Sequence, residues 1–268
     1  MRKYSIIFIL FINFLGYGQK NIYIFDSISR KPIEYATIKF LSSNDGTYSD
    51  HKGLFVLPSK VEKLSISCIG FERKTITKTF GDTIFLKPKV NLLKEVLVKT
   101  KKREVYGKKK SKLFISFNSN SESVIFAKKI RLDDNVVIAK AHFDIYNDNK
   151  ERKYRFHIFN LNNDNLPKEN IISKNIVSEI KPNQKGITID LTSYEIILKK
   201  GSYYFAIEIF DLEKQNINSS LKIGCYKTSL NNESLSKPVF NDNEQWKSIK
   251  TYNEKKEYSF NFYLTIKR

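Results

Sequence analysis

Residues 46–58, GTYSDHKGLFVLP, set a polar turn rich in glycine, serine and aspartate against a short apolar run. Asp50 beside His51 has the residue types of an acid–base pair, and Gly46 and Gly53 bracket the two. Two readings compete. In one, Asp50 and His51 carry chemistry. In the other, Asp50 bonds its own backbone, as aspartate does in turns. Gly53 then lets the chain bend at no steric cost, so that Phe55 and Leu57 return to a core face. The second reading is preferred, and it makes the stretch a connection between β-strands.

Working outward, both sides of this turn keep the same character. NIYIFD (21–26), YATIKFL (35–41), KLSISCIGF (63–71), KTITKTF (74–80), DTIFLKP (82–88) and KEVLVKT (94–100) are rich in β-branched and aromatic residues, with turn residues between them. Seven or eight short strands and no helical stretch predict a sandwich. Beyond residue 112 the pattern continues in NVVIAKAHFDIYND, KYRFHIFNL, GITIDL, YEIIL, SYYFAIEIF, LKIGCYK and EYSFNFYLTIKR. The stretch 164–177 is the least regular and reads as a loop returning to an edge strand. The expected fold is all-β: a seven-stranded N-terminal sandwich followed by a second, larger antiparallel sandwich of jelly-roll type.

The first residues, MRKYSIIFILFINFLGYGQK, have a basic start, an apolar run and small residues at Gly16 and Gly18. This is the layout of a secretory signal peptide, and the run is too short to cross a bilayer. No cysteine follows it, which argues against a lipoprotein anchor. The chain is therefore expected to be exported, to the periplasm or to the outer membrane and cell surface. Its two cysteines, Cys68 and Cys225, both sit in apolar strand-like contexts and read as separate buried thiols.

The net charge is +19, and its distribution is uneven. The segment KKREVYGKKKSK (101–112) holds seven basic side chains and one acidic one. It reads as a solvated linker whose like charges hold two domains apart, with peripheral attraction to anionic polymers or lipid head groups. Nucleic-acid binding is set aside, because export removes such targets and no recognition motif is present. The expected organisation is a signal peptide at 1–18, a first domain at 19–100, a basic linker at 101–112 and a second domain at 113–268.

Several residues of the first domain share a pattern: Asp26, Pro32-Ile33 ahead of YATI (35–38), Gly46-Thr47, Asp50-x-x-Gly53-x-Phe55, and Ile69-Gly70-Phe71 ahead of TIFLKP. In order and spacing this resembles the carboxypeptidase regulatory-like domain, a transthyretin-like sandwich carried by many exported bacterial proteins. LLKEVLVK (92–99) further resembles the segment closing this domain in TonB-dependent outer-membrane receptors of Bacteroidetes-type bacteria. The resemblance implies a fold and an exported setting. It implies no peptidase activity, since the domain carries none of the zinc ligands of the enzymes it accompanies. The second half resembles the β-sandwich tails of uncharacterised exported proteins.

The chain has three histidines. His142-x-Asp144 with His157 downstream has the residue types of a two-histidine, one-carboxylate iron site. Strand phase opposes it. Ala141, Phe143 and Ile145 share one face, leaving His142 and Asp144 on the other with Lys140. In YRFHIF, Arg155 and His157 likewise alternate with Tyr154, Phe156 and Ile158. The expectation is two solvent-facing histidines with cations beside them. The clusters NDN (147–149), NNDN (162–165) and NDNE (241–244) have too few carboxylates for calcium and read as turns. Asp133-Asp134 also suits a turn. Trp246 reads as core. No nucleophile elbow, zinc helix or phosphate loop is present.

No catalytic, cofactor-binding or metal-ligating residue is therefore assigned, and no cofactor. The expected function is that of a non-catalytic cell-envelope binding or assembly module, with envelope proteins or polysaccharide as partners. The alternative is an accessory subunit of an envelope enzyme or TonB-dependent uptake system, in peptidase or glycan processing.

Overall fold

A computed structural model of the chain describes residues 19–77, 80–89, 103–107, 113–119, 123–212, 219–241, 243–249 and 257–267. The signal-peptide segment, the strand expected at 94–100 and most of the basic segment lie outside these. The chain divides into two compact units, Met1–Lys89 and Val90–Arg268. The described residues are almost entirely strand and turn, with one short 3-10 turn at Thr192–Tyr194. The fold class is all-β.

The first unit has seven described strands: β1 (Lys20–Asp26), β2 (Thr37–Phe40), β3 (Asp45–Tyr48), β4 (Leu54–Leu57), β5 (Lys63–Ser67), β6 (Lys74–Thr77) and β7 (Thr83–Leu86). They form a three-stranded sheet, β4-β1-β7, and a four-stranded sheet, β3-β2-β5-β6. All pairs are antiparallel except β1 with β7, which run parallel. Period-2 alternation places Ile22, Ile24, Ile38, Phe55, Leu64 and Ile66 in one buried cluster. β3 overlaps the start of the stretch read as a polar turn, because Tyr48 is buried and the DGTY pattern still alternates toward the core.

The residues of the shared pattern meet backbone demands in this unit. Asp26 accepts from the N–H of Ile28 (2.8 Å) and from Ser29 Oγ (2.7 Å), closing the turn after β1. Pro32 bridges Phe25. Asp50 Oδ1 accepts from the N–H groups of Lys52 and Leu54, both at 2.8 Å. His51 is exposed in the same turn. Gly53 has φ +74°, and its carbonyl accepts from Ile24 N at 2.8 Å.

The second unit has fifteen described strands. They begin with β8 (Arg103–Gly107), β9 (Leu113–Ser119), β10 (Val124–Leu132), β11 (Val136–Tyr146) and β12 (Arg152–Leu161). β13 (Pro167–Asn170), β14 (Val177–Ile180), β15 (Lys185–Asp190), β16 (Ile197–Leu198) and β17 (Gly201–Phe210) follow. The last are β18 (Ser219–Thr228), β19 (Ser234–Pro238), β20 (Lys247–Ser248), β21 (Glu257–Phe260) and β22 (Phe262–Lys267). A seven-stranded sheet runs β13-β12-β17-β10-β19-β20, with β14 also on β12. An eight-stranded sheet runs β21-β18-β11-β22-β8, with β15 and β16 on β11 and β9 on β18.

The two sheets of this unit face each other across an aromatic core. Phe143 of β11 meets Phe156 of β12 edge-on at 6.1 Å, and Phe126 of β10 meets Phe260 of β21 at 5.6 Å. Buried side chains of this kind dominate sandwich energetics. β8 lies within the segment expected to be a linker. Charge dominates that stretch, yet Glu104, Val105 and Tyr106 pair with Ile266, Thr265 and Leu264 of β22.

A methyl group at Gly53 would lie 2.5 Å from the carbonyl oxygen of Ile24, at a φ that L-residues rarely adopt. Gly53→Ala is expected to destabilise the chain by about 2 kcal/mol or more, measured by denaturant unfolding. An unchanged midpoint would refute this account of the turn.

Candidate functional site

β11 alternates between two environments. Ala141, Phe143 and Ile145 are buried in the core. Lys140, His142, Asp144 and Tyr146 point to the outer face of the eight-stranded sheet, where β15, β22 and β18 bring their own outward residues beside them.

His142 stacks on Tyr263 of β22, its cross-strand partner, at 4.3 Å between ring centroids and 12° between planes. Its Nδ1 lies 2.9 Å from Thr188 Oγ1 and its Nε2 lies 3.1 Å from Thr265 Oγ1. A neutral imidazole has one N–H, so one threonine accepts from the ring and the other donates to it. Lys140 pairs with Asp190 at 3.7 Å. Asp144 Oδ2 accepts from Asn261 Nδ2 at 3.1 Å. Asn261 is fully buried between β21, which pairs with β18, and β22, which pairs with β11. Its backbone N–H donates to Gly224 O at 2.8 Å. Tyr146 makes an edge contact at 4.7 Å with Phe114 of β9, which is 47% exposed.

Two aromatic pairs thus stand about 13 Å apart along β11, four residues at strand rise, with the Asp144–Asn261 pair between them. The arrangement offers ring faces, hydroxyls and a carboxylate to a ligand from solvent. The Lys140–Asp190 pair borders it.

The outer face of the seven-stranded sheet is different. Here the expectation of a solvent-facing His157 is corrected: the residue is 6% exposed. Strand phase does turn it away from the core, but Glu208, Asn170 and the stacked Phe159 ring close around it. His157 Nε2 lies 2.7 Å from Glu208 Oε2, and its Nδ1 lies 2.8 Å from Asn170 Nδ2. Arg155 reaches the same carboxylate at 3.2 and 3.3 Å. Burial holds the His157 pKa below the usual histidine range, against the opposing pull of Glu208. Trp246, half-buried, meets Phe159 at 5.8 Å and packs on a second small cluster with Tyr204 and Leu235.

The residues of the iron-site pattern are not brought together. His142 and Asp144 project from one sheet and His157 from the other, and the contact between Phe143 and Phe156 places both histidines on outward faces. Asn162 Oδ1 accepts from the N–H groups of Asp164 and Leu166, and Asn241 Oδ1 from that of Asn243. Asp148 of the first asparagine-rich cluster is held by Arg152 at 2.7 and 3.1 Å. Burial pushes its carboxyl up, but hydrogen bonds from Arg152 and from the N–H groups of Lys150 and Ser220 leave its pKa below the ordinary value. Asp133 and Asp134 lie in the bend between β10 and β11. Cys68 and Cys225 are buried thiols, one in each unit.

Tyr263, Thr265 and Thr188 are legible in the sequence as outward residues of alternating strands, but their convergence on His142 depends on register. Phe114 and Asn261 carry no such signal.

Residues 23–98 match the family model of the CarboxypepD_reg-like domain. The first unit is a CarboxypepD_reg-like domain. In it, Asp26, Gly53 and Asp50 hold the turns described above. No curated protein matches the chain. Among solved structures, the chain is similar to a clostridial cysteine protease, Cwp84 after propeptide cleavage, with 16% identity and TM-score 0.46. That match covers 83% of this chain and 50% of the other. The cysteine protease and lectin-like domains of Cwp84, a surface layer associated protein of Clostridium difficile, match at 14% identity and TM-score 0.43, over 83% and 45%. A structure of infectious bursal disease virus, Gx strain, matches at 12% identity and TM-score 0.30, over 87% and 59%. The similarity to the first of these structures extends over half of its length.

Because His142 and His157 face away from each other, protein purified without chelator is expected to carry no stoichiometric iron or zinc by elemental analysis. Adding EDTA should leave its melting temperature unchanged. A stoichiometric transition metal lost to EDTA would overturn this placement.

Proposed function

We propose that the chain is a non-catalytic binding module of the cell envelope, exported through its N-terminal leader, and that its second unit holds a polysaccharide on the outer face of the eight-stranded sheet. The observation that carries the reading is the pairing of two aromatic sites, His142 with Tyr263 and Tyr146 with Phe114, on either side of Asp144 and Asn261. Ring faces suit the apolar faces of sugars, while carboxylate, hydroxyl and ammonium groups suit their hydroxyls. Orientation by a few polar groups among aromatic side chains is the common form of small-ligand sites.

The leader supports the compartment, as does the resemblance of the first unit to domains of exported proteins in Bacteroidetes-type bacteria. The first unit serves as a rigid spacer or docking sandwich. The basic residues of 101–112 favour anionic surroundings, polymer or lipid head group, in a salt-dependent way.

The test is binding of the full chain to a panel of envelope polysaccharides by calorimetry, alongside Phe114→Ala and Tyr146→Ala. Both side chains lie on the outer face, so the fold should survive. Each variant is expected to bind about tenfold more weakly, the worth of one aromatic contact. Binding unchanged in both variants, or no binding to any polysaccharide, would refute the reading.

A further inference from the structure

Between β13 and β14 the chain runs along the edge of β12 and touches it at two points. Ile171 N donates to Ile158 O at 2.8 Å, and Phe156 N donates to Ile176 O at 3.0 Å. Ile172 and Ile176 of this segment are buried. Its polar anchor is Asn170. The Asn170 Oδ1 accepts from the backbone N–H groups of Ile158 (3.4 Å) and Ile172 (3.3 Å), which fixes the amide with Nδ2 toward His157.

That orientation decides the state of the ring. Nδ2 is a donor only, so His157 Nδ1 accepts, and the single proton of the neutral imidazole sits on Nε2 and is donated to Glu208. We propose that segment 170–177 is a proton-operated latch, closed on β12 while His157 is neutral and released when His157 gains a proton on Nδ1.

The second proton would set N–H against N–H at the Asn170 contact. Turning the amide over would bring Oδ1 to the ring, but only by abandoning the N–H groups of Ile158 and Ile172. Neither arrangement keeps both sets of bonds, so the anchor is lost. The charges around the ring do not remove the conflict. From β17 the ring faces Glu208, whose carboxylate Arg155 of β12 already engages. Glu179 of β14 is taken by Lys153, and Lys168 and Glu169 of β13 are exposed to solvent.

Burial lowers the His157 pKa, and the sign of the pH dependence follows. The closed form favours the neutral ring, so the latch holds above the ordinary histidine value of about 6.5 and is weakened as pH falls below it.

Amide hydrogen exchange on the full chain at pH 7.5 and pH 5 tests this. The protection factors of Ile171, Ile172 and Phe156, whose N–H groups make the latch contacts, are expected to fall at least tenfold at pH 5, while those of Phe205 and Ile207 on β17 hold. An Asn170→Asp variant replaces the amide donor with a carboxylate that accepts from Nδ1–H, so its latch should stay protected at pH 5. Nitrogen NMR of the imidazole at pH 7.5 should show the proton on Nε2. Unchanged protection, a parallel loss across β17, release in Asn170→Asp as in the parent, or a proton on Nδ1 at pH 7.5 would each overturn the proposal.

Discussion

Arg152 holds the corner where the chain passes from one sheet of the second unit to the other. β11 belongs to the eight-stranded sheet and β12 to the seven-stranded one, and the turn between them carries Asn147 and Asp148. The Arg152 guanidinium, 3% exposed, donates to Asn147 Oδ1 and to both oxygens of Asp148, and lies 3.9 Å from Asp211 just past β17. Asp148 Oδ2 also accepts from Ser220 N at the start of β18, and Asn147 Nδ2 donates to Lys181 O beyond β14. One buried cation thus ties the ends of strands in both sheets. A buried arginine is tolerable only with its charge met, and the bidentate Asp148 carboxylate meets it here. The corner sets the phase of the strands on either side of it. Phe143 and Phe156 then meet in the core, and every second residue of β11 and β12 turns outward.

The two outward faces have different fates. On the seven-stranded sheet the outward residues Arg155, His157 and Glu208 are buried and bonded to one another. Trp246 and Tyr204 make a small apolar cluster nearby. On the eight-stranded sheet Phe114 and Asp190 remain exposed, and His142, Asp144, Tyr146 and Tyr263 are partly so. Side chains on this second face reach solvent.

Strand phase was readable from sequence; burial was not. Alternation in AKAHFDIY and YRFHIF put the right residues on opposite faces, and the same logic separated His142 from His157. What alternation cannot register is side chains arriving from elsewhere, Asn170 and Glu208, so His157 read as solvent-facing. β10 shows the converse failure. It lies between β17 and β19, but Lys128 and Lys129 interrupt its apolar pattern in VIFAKKIRL. Lys128 nonetheless faces the core, 3% exposed, donating to Phe260 O at 2.9 Å and to Tyr226 Oη, and lying 3.7 Å from Glu233. Burial pushes the Tyr226 phenol up to about 12. A lysine that supplies its own hydrogen-bonded polar pocket leaves a strand looking like a charged loop.

The first unit was legible for a reason that does not extend to the outer face of the eight-stranded sheet. Its telling residues answer to the backbone. Gly53 needs a positive φ beside Ile24 O, Asp50 and Asp26 satisfy N–H groups within four residues, and Ser49 donates to Ile33 O while accepting from Ala36 N. Such constraints are local or fixed by the strand order, so they leave a spaced pattern in the sequence. The outer face of the eight-stranded sheet has no comparable signature. Tyr263 meets His142 across a ladder joining distant segments of the chain, and Phe114 meets Tyr146 only because β9 and β11 both lie against β18. Shifting either register by one residue would leave the composition intact and turn the aromatic side chains to the opposite face. The juxtapositions on this outer face are therefore written in the strand pairings, and the turns of the first unit in its motifs.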